Sequence, residues 1–233
     1  MKKLKILIKK ETINLSIPTV DFARKSDWYK WLNDVNITKF LGKSYKNHKN
    51  TPRKQEKYFI EEKKKRFFLI ISTKKNIYKG VVSLSYINKK THTCNIALIT
   101  DVNIEPELSA YAGIEAIARL TDYAFKKMNI KKIYGAGHIK ISNWQQRMEL
   151  FGYRIDSIKK NDYLNGKKMD DSHLVSCSYC DYVTILKKRK FFWDSLEKMK
   201  KRFKKLPKNS FKKQLMNFLD NKGSKYYTKL FNL

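Results

Sequence analysis

The sequence contains few cysteines and no long apolar segment. Its three cysteines are Cys94, Cys177 and Cys180, and their number and spacing are unlike the disulfide framework of a small secreted protein. No apolar run approaches the roughly 20 residues that cross a bilayer. Lysines interrupt the short apolar stretch within residues 1–10, which argues against a signal-peptide core. We therefore expect a cytoplasmic protein whose residues 1–10 form a first strand.

Cys177 and Cys180 form a C-x-x-C pair. A structural zinc ion needs two more ligands, and the sequence has no second pair of this kind. A redox pair is expected at the start of a helix. We interpret the pair as two half-buried side chains on a strand and predict no metal site, with metal binding and redox chemistry as less favoured alternatives.

Acidic residues are also scarce. The chain has 21 Asp and Glu against 52 Lys and Arg, which gives a formal net charge of +31. Such a charge attracts polyanions. Most of the bases are lysine, however, which lacks the bidentate geometry with which arginine recognises bases and phosphates. Lysine also accompanies many Ile, Asn and Tyr residues, so a genomic bias toward AT-rich codons is an alternative explanation, and sequence-specific nucleic-acid recognition is disfavoured.

The remaining composition is sufficient for a folded domain. Hydrophobic residues make up 42% and aromatic residues 13% of the 233 positions, which argues against wholesale disorder. The length fits one domain with an extension. We place the domain at residues 1–186 and the extension at residues 187–233, because the sequence becomes strongly basic from Lys187 onward.

The hydrophobic periodicity of residues 1–186 alternates between strand and helix patterns. Three strands joined by short polar turns predict an antiparallel meander, and the helical patterns predict helices on the faces of a mixed sheet. The predicted fold class is therefore α/β (α+β). The predicted helices cover 21–32, 51–65, 110–128 and 143–151, and the predicted strands after the first cover 67–72, 78–87, 93–100, 131–137, 153–158 and 174–184.

The extension is the most basic part of the chain. Residues 187–233 contain 16 Lys or Arg and three acidic residues, and their apolar residues recur at helical spacing, which predicts basic amphipathic helices. Packing on the domain or on a partner subunit of a homodimer is the favoured interpretation. Docking on an anionic membrane surface and contact with RNA are the alternatives. The apolar positions are Phe192, Leu196, Met199, Phe203, Phe211, Leu215, Phe218 and Leu219.

Several segments, in the same order along the chain, resemble the GNAT superfamily of N-acetyltransferases. The resemblance covers about residues 10–185 and is closest to the branch that acetylates ribosomal-protein N-termini, amino sugars and small amines. The segments are W-L-N-D-V-N-I-T-K-F-L at 31–41, T-P-R-K-Q-E-K-Y-F at 51–59, E-A-I at 115–117, L-T-D-Y-A-F at 120–125, N-I-K-K-I at 129–133, Asn143, F-G-Y at 151–153, and N-G-K with Asp170 at 165–170.

The resemblance implies that the sheet opens between strands 93–100 and 131–137, and that acetyl-CoA binds in this opening. Its pyrophosphate would lie on backbone N–H groups at the start of the long helix, where unpaired donors and the helix dipole favour an anion. The predicted cofactor-binding residues are Ser109, Ala110, Tyr111, Ala112, Gly113, Ile114 and Asn143.

The sequence departs from the family pattern at four positions. Glu107 and Ala110 replace the basic residue and the first glycine of the phosphate loop. Asn95 stands where many members have a glutamate. Met148 stands where many members have a tyrosine that acts as the general acid. Because of these replacements, a catalytically degenerate binding protein with this fold is an alternative to an active enzyme.

Two residues are the candidates for a general base. Histidine is the usual general base of enzymes near neutral pH, and His138 ends the strand at 131–137, whereas Asp101 follows the strand at 93–100. A hydrogen-bonded strand-end histidine and a loop-capping aspartate are the alternative interpretations.

Trp31, Asn95 and Trp144 are predicted to contact the acceptor. For Trp144, packing of its own short helix is an alternative. The expected acceptor is the primary amine of an amino sugar, either free or linked to a nucleotide, because a basic cleft suits an anionic carrier. The N-terminus of a ribosomal or similar protein is the alternative.

Overall fold

The protein is built on one eight-stranded sheet with helices on both faces. The computed structural model describes residues 3–10, 12–41, 49–101, 103, 106–165 and 168–231. The strand order is β1-β2-β3-β4-β5-β6-β8-β7, and the predicted α/β fold class is confirmed. The strands are β1 Lys5–Lys9, β2 Ile13–Ile17, β3 Arg66–Thr73, β4 Tyr78–Asn88, β5 Thr93–Thr100, β6 Lys132–His138, β7 Arg154–Asn165 and β8 Lys168–Ser178.

The helices connect the strands and extend the chain beyond β8. The helix predicted at 51–65 starts where expected, because Thr51 accepts a hydrogen bond from the Lys54 N–H and Pro52 is the first helical residue. The helices are α1 Val20–Lys25, α2 Trp28–Trp31, α3 Val35–Thr38, α4 Pro52–Glu62, α5 Pro106–Lys127, α6 Ser142–Glu149, α7 Tyr179–Arg189, α8 Leu196–Lys204, α9 Phe211–Phe218 and α10 Ser224–Phe231, with a π-helical segment, Leu219–Gly223, between the last two.

The N-terminal region differs from the prediction in two ways. The first strand is followed by an unpredicted second strand, β2, which pairs with both β1 and β3. The helix predicted at 21–32 is interrupted, because Ser26 has an extended backbone and ends α1. The apolar face of α1 continues into α2 across this break, so the hydrophobic periodicity of the sequence did not reveal where the helix is interrupted.

The strand predicted at 174–184 ends early. Ser178 caps a helix by accepting the Asp181 N–H at 3.1 Å, so Cys180 lies in the first turn of α7 and not on a strand. Cys177 is buried at the end of β8, and burial raises the pKa of its thiol. A buried thiol with a raised pKa is a poor redox nucleophile, so the position at a helix start does not favour redox chemistry.

The two faces of the sheet carry separate hydrophobic cores. Along β3, Leu69 and Ile71 point into the larger core, which packs against α5, whereas Phe68 and Ile70 point into the smaller core of α1, α2 and α4. This alternation is the period of two that a strand imposes when both of its faces are buried. The sheet is therefore the middle layer of three.

The extension divides into two parts. Helix α7 crosses the boundary predicted at 186/187, and Phe192, Trp193, Met199 and Phe203 belong to the larger core. The ring of Trp193 stacks on that of Phe151, with 5.6 Å between their centroids. Residues up to about 206 thus complete the core, as the packing interpretation expects. Beyond them, residues 211–231 expose much of their apolar surface.

Candidate functional site

The main cleft opens where two neighbouring strands separate. β5 and β6 run parallel and pair through Thr93–Asn95 and Lys132–Tyr134, and the register ends there. Beyond this point the strands enclose a cavity of about 430 Å³. Residues 96–100 of β5 and 135–137 of β6 line its two sides. The opening predicted between these two strands is therefore present.

The cleft has an apolar interior and a polar end. Ile117 of α5 and Trp144 and Met148 of α6 line the interior. At the other end Asp162, Tyr163 and residues 172–173 of the β7–β8 hairpin line it. They are joined there by four residues around α3: Asn36, Ile37, Phe40 and Leu41. A mainly apolar pocket with a few polar groups at one end is typical of a small-molecule site.

Glycine residues make room for this polar end. Gly137 pairs with His173 across β6 and β8, and a Cβ atom on Gly137 would lie only 3.0 Å from Cε1 and Nε2 of the imidazole. Gly135, two residues earlier, faces Val175 in the same way, at 3.2 Å. A Cβ atom at Gly137 would therefore require the His173 ring to shift by a few tenths of an ångström.

His173 is a neutral histidine in the cleft wall. Its side chain is 3% exposed, and its Nδ1 atom is buried without a hydrogen-bond partner among the described residues. Burial, together with the nearby Lys212 and His138 side chains, lowers the pKa of His173 to about 4. The imidazole is therefore uncharged at neutral pH.

The low pKa of His173 predicts a loss of stability in mild acid. The unfolded chain takes up a proton near pH 6.5 and the folded chain only near pH 4, so stability falls as the pH drops through this interval. Between pH 7 and pH 5 the expected loss from this residue is about 2 kcal/mol. Urea unfolding at both pH values, in wild type and His173→Gln, checks this. An equal pH dependence in the two proteins would contradict it.

The hairpin contributes one carboxylate to the cleft. Asp162 lies at an irregularity of β7 where the register with β8 shifts, and its Oδ2 atom accepts a hydrogen bond from the Ser172 hydroxyl at 2.5 Å. The neighbouring Tyr163 hydroxyl donates to the Phe40 carbonyl at 2.8 Å, which ties the hairpin to the segment after α3. A carboxylate at this position can bind a cationic group of a ligand.

The predicted base His138 lies behind the cleft wall. Its Nε2 atom is 3.2 Å from Asp170 Oδ2, and its Nδ1 atom accepts the Lys140 N–H at 3.2 Å. The ring packs against Phe40 and Tyr163, which line the cavity, while His138 itself does not. The structure therefore favours the hydrogen-bonded alternative for this residue. A catalytic role for it stays a prediction that the geometry does not support.

Of the three predicted substrate residues, Trp144 lines the described part of the cleft. Asp101 is almost buried, and its carboxylate accepts the Asn103 N–H at 2.9 Å as a loop cap. Asn95 lies on the last pair before the strands separate. Trp31 is buried in the smaller core beside α4. Asp101, Asn95 and Trp31 do not line the cavity.

Six of the seven predicted cofactor residues lie within α5, because this helix begins at Pro106 and not at 110. The seventh, Asn143, lies in α6. Ala112 and Ile114 are buried in the larger core, and Tyr111 stacks on Phe203. A Cβ atom on Gly113 would lie 2.9 Å from the Thr100 side chain, so this glycine allows α5 to pack closely on β5. Ser109 and Ala110 are both part of α5. The side chain of Asn143 lies outside the described part of the structure.

Sequence analysis missed the polar end of the cleft. Asp162 and His173 lie on either side of the N-G-K segment at 165–167. Gly135 and Gly137, two positions apart on one strand, were the available signal for a close approach on that face. No motif marks either polar residue. Within the described ranges, no group of three His, Cys, Asp or Glu side chains is placed to bind a metal ion.

The separated parallel strands, with α5 packed on one face, define the class: the chain has the fold of the GNAT N-acetyltransferases. The chain is similar to spermidine N-acetyltransferase from Vibrio cholerae, solved with CoA and spermine, with a TM-score of 0.64 and 15% identity over 73% of this chain and 98% of that one. It is also similar to ribosomal-protein-S5-alanine acetyltransferase from Vibrio fischeri, with a TM-score of 0.63 and 17% identity over 75% and 97% of the two chains.

At these identities the likeness establishes the fold. No family model and no curated protein sequence matches the chain. In the described residues, no helix is long and apolar enough to cross a membrane.

Proposed function

We propose that the protein is an acetyl-CoA-dependent N-acetyltransferase that acts on a primary amine. The observation that carries this proposal is the cavity between β5 and β6, which opens directly after Asn95 and Tyr134. The similar fold of two acetyltransferases, one of them solved with CoA, supports it.

The cleft fits an extended acyl carrier. Beyond Asn95 the edge of β5 no longer pairs with β6, so its backbone N–H and C=O groups are available to an amide-bearing chain, as in strand addition. The first N–H groups of α5, at Glu107 and Leu108, precede the first i→i−4 hydrogen bond of the helix and would hold the pyrophosphate. This moves the predicted phosphate contacts from residues 109–114 to the two residues before them.

The polar end of the cleft suits the acceptor. Acetyl-CoA supplies the acyl group as a thioester, and the amine must approach it from the opposite side in its neutral form. Asp162 would accept a hydrogen bond from the incoming amine, and the apolar walls at Ile117, Trp144 and Met148 would exclude water from the reacting atoms. His173, which is uncharged at neutral pH, adds no repulsion toward a cationic amine.

The identity of the acceptor stays a proposal. The amino sugar expected from the sequence fits the size of the cavity, but a nucleotide-linked form would place phosphates near the Asp162 carboxylate. The two similar structures are named for spermidine and for an alanine of ribosomal protein S5 as substrates. The acceptors to compare are therefore glucosamine, a nucleotide-linked amino sugar, spermidine and a peptide that begins with alanine.

Calorimetry with acetyl-CoA, followed by an assay of thiol release with these four acceptors, tests the proposal. We expect acetyl-CoA to bind at micromolar concentration and at least one amine to release CoA. If acetyl-CoA bound but no amine released the thiol, the catalytically degenerate alternative would be favoured. If acetyl-CoA did not bind, the proposed function would be wrong.

A further inference from the structure

The last helix of the chain leaves an apolar stripe uncovered. Residues 211–231 form one continuous helix, here called the distal helix, of about 30 Å. On it, Phe211, Phe218, Tyr226 and Leu230 are between 41% and 60% exposed. We call these four side chains the exposed stripe. In contrast, the apolar residues of α8 are buried against the domain.

The π-helical segment keeps the exposed stripe on one face. Phe211 and Phe218 are seven residues apart, which is two α-helical turns. Phe218 and Tyr226 are eight residues apart. In a regular α-helix this spacing would rotate Tyr226 about the helix axis by about 80° relative to Phe218. The segment Leu219–Gly223 between them is π-helical and accommodates one additional residue, so Tyr226 returns to the same side. Leu230 follows one turn later.

Two polar contacts fix the distal helix to the domain with this face outward. The Lys212 ammonium group, on a side chain that is 3% exposed, donates to the Ile139 carbonyl after β6. Asp220 forms an ion pair with Lys160 of β7 at 2.6 Å. The stripe is therefore presented by a helix that is held on the domain through its other side.

The charges around the stripe are basic and come from lysine alone. Residues 207–231 contain six lysines, no arginine and one acidic residue, Asp220, which is engaged by Lys160. Lys213, Lys225 and Lys229 are exposed beside the stripe. Phenyl and phenol rings flanked by lysines suit the boundary between acyl chains and anionic headgroups, because the lysine stems extend along the apolar layer and place their charges in the headgroups.

We propose that the distal helix docks this protein on the surface of an anionic phospholipid bilayer. The stripe enters the interface, and the flanking lysines bind the headgroup phosphates. A second copy of the chain is a poorer occupant, because a symmetric contact would bring two lysine-rich faces together in a protein of net charge +31. RNA is a poorer occupant because the helix lacks the arginines that recognise phosphate and bases with two hydrogen bonds.

Flotation of the full-length protein with lipid vesicles tests the proposal. We expect binding to phosphatidylcholine vesicles that contain about 30% phosphatidylglycerol, weakened by salt, and little binding to pure phosphatidylcholine. The triple variant Phe218→Ser, Tyr226→Ser, Leu230→Ser should lose about tenfold or more of this affinity. The matched control changes three exposed polar residues of the same helix, Gln214→Ser, Asn221→Ser and Thr228→Ser, and should bind as wild type does.

Three results would overturn the proposal. The first is equal binding of wild type to neutral and anionic vesicles, or no binding to either. The second is unchanged anionic-vesicle binding in the triple variant. The third is a triple variant that changes from dimer to monomer in sedimentation velocity, or that loses binding to single-stranded RNA while vesicle binding persists. Melting temperatures and acetyl-CoA calorimetry on all variants separate these outcomes from misfolding and from failure of the proposed function.

Discussion

Deletion of residues 187–233 is expected to yield an insoluble chain, whereas deletion of residues 207–233 is expected to yield a folded one. The shorter fragment loses four side chains of the larger core, Phe192, Trp193, Met199 and Phe203. Each contributes about 1.5–3 kcal/mol by burial, so the loss of about 6–12 kcal/mol equals the whole stability of a typical domain.

The fragment 1–206 is the matched control for this deletion. It keeps α8 and the stack of Trp193 on Phe151, and it removes the distal helix, most of whose apolar surface is already exposed. Expression in the soluble fraction and thermal melting distinguish the two fragments. If the fragment 1–186 remained soluble and unfolded cooperatively near the wild-type temperature, the assignment of residues 187–206 to the core would be wrong.

A tryptophan in place of Ala136 is expected to abolish ligand binding in the cleft. Ala136 lies on β6 in the wall of the cavity, where an indole ring would occupy much of the 430 Å³ between the strands. We expect acetyl-CoA affinity and acetyl transfer to fall by at least about 100-fold, since a displacement of about 1 Å can already cost this much. Calorimetry and the thiol-release assay measure the two effects.

Tyr134→Trp provides the control for the blocked cleft. Tyr134 lies two residues earlier on the same strand, is partly exposed and is outside the cavity lining, so the substitution adds a similar ring without filling the cleft. Its melting temperature and acetyl-CoA affinity should remain close to wild type. Normal acetyl-CoA binding by the Ala136→Trp protein would place the cofactor elsewhere on the molecule.

Local sequence was sufficient where one element carries its own signal. Thr51-Pro52 starts α4 as predicted, and the three strands of the meander and the core of α5 were placed correctly. The start of α5 was placed four residues late, because residues 106–109 lack the apolar spacing that marks the rest of the helix. This shift is what separated the predicted phosphate contacts from the first helical N–H groups.

The division of the basic extension could not be predicted from its composition. Both halves have apolar residues at helical spacing and many lysines, so they look alike as amphipathic helices. Phe192 and Trp193 are covered because they pack on Phe151 and Tyr182 in the folded protein. In contrast, no described part of the domain covers Phe218.

The sequence by itself determined the fold class and the order of the central elements, because periodicity and turn residues act over a few positions. The strands between which the cleft opens followed from the family resemblance. The tertiary structure decided which polar residues reach the cleft. The sequence singled out His138, but β8 lies between β6 and β7 in the sheet and pairs His173 with Gly137. A glycine opposite a histidine leaves space for the ring, and this pairing joins residues 36 positions apart, a separation at which no local pattern is informative.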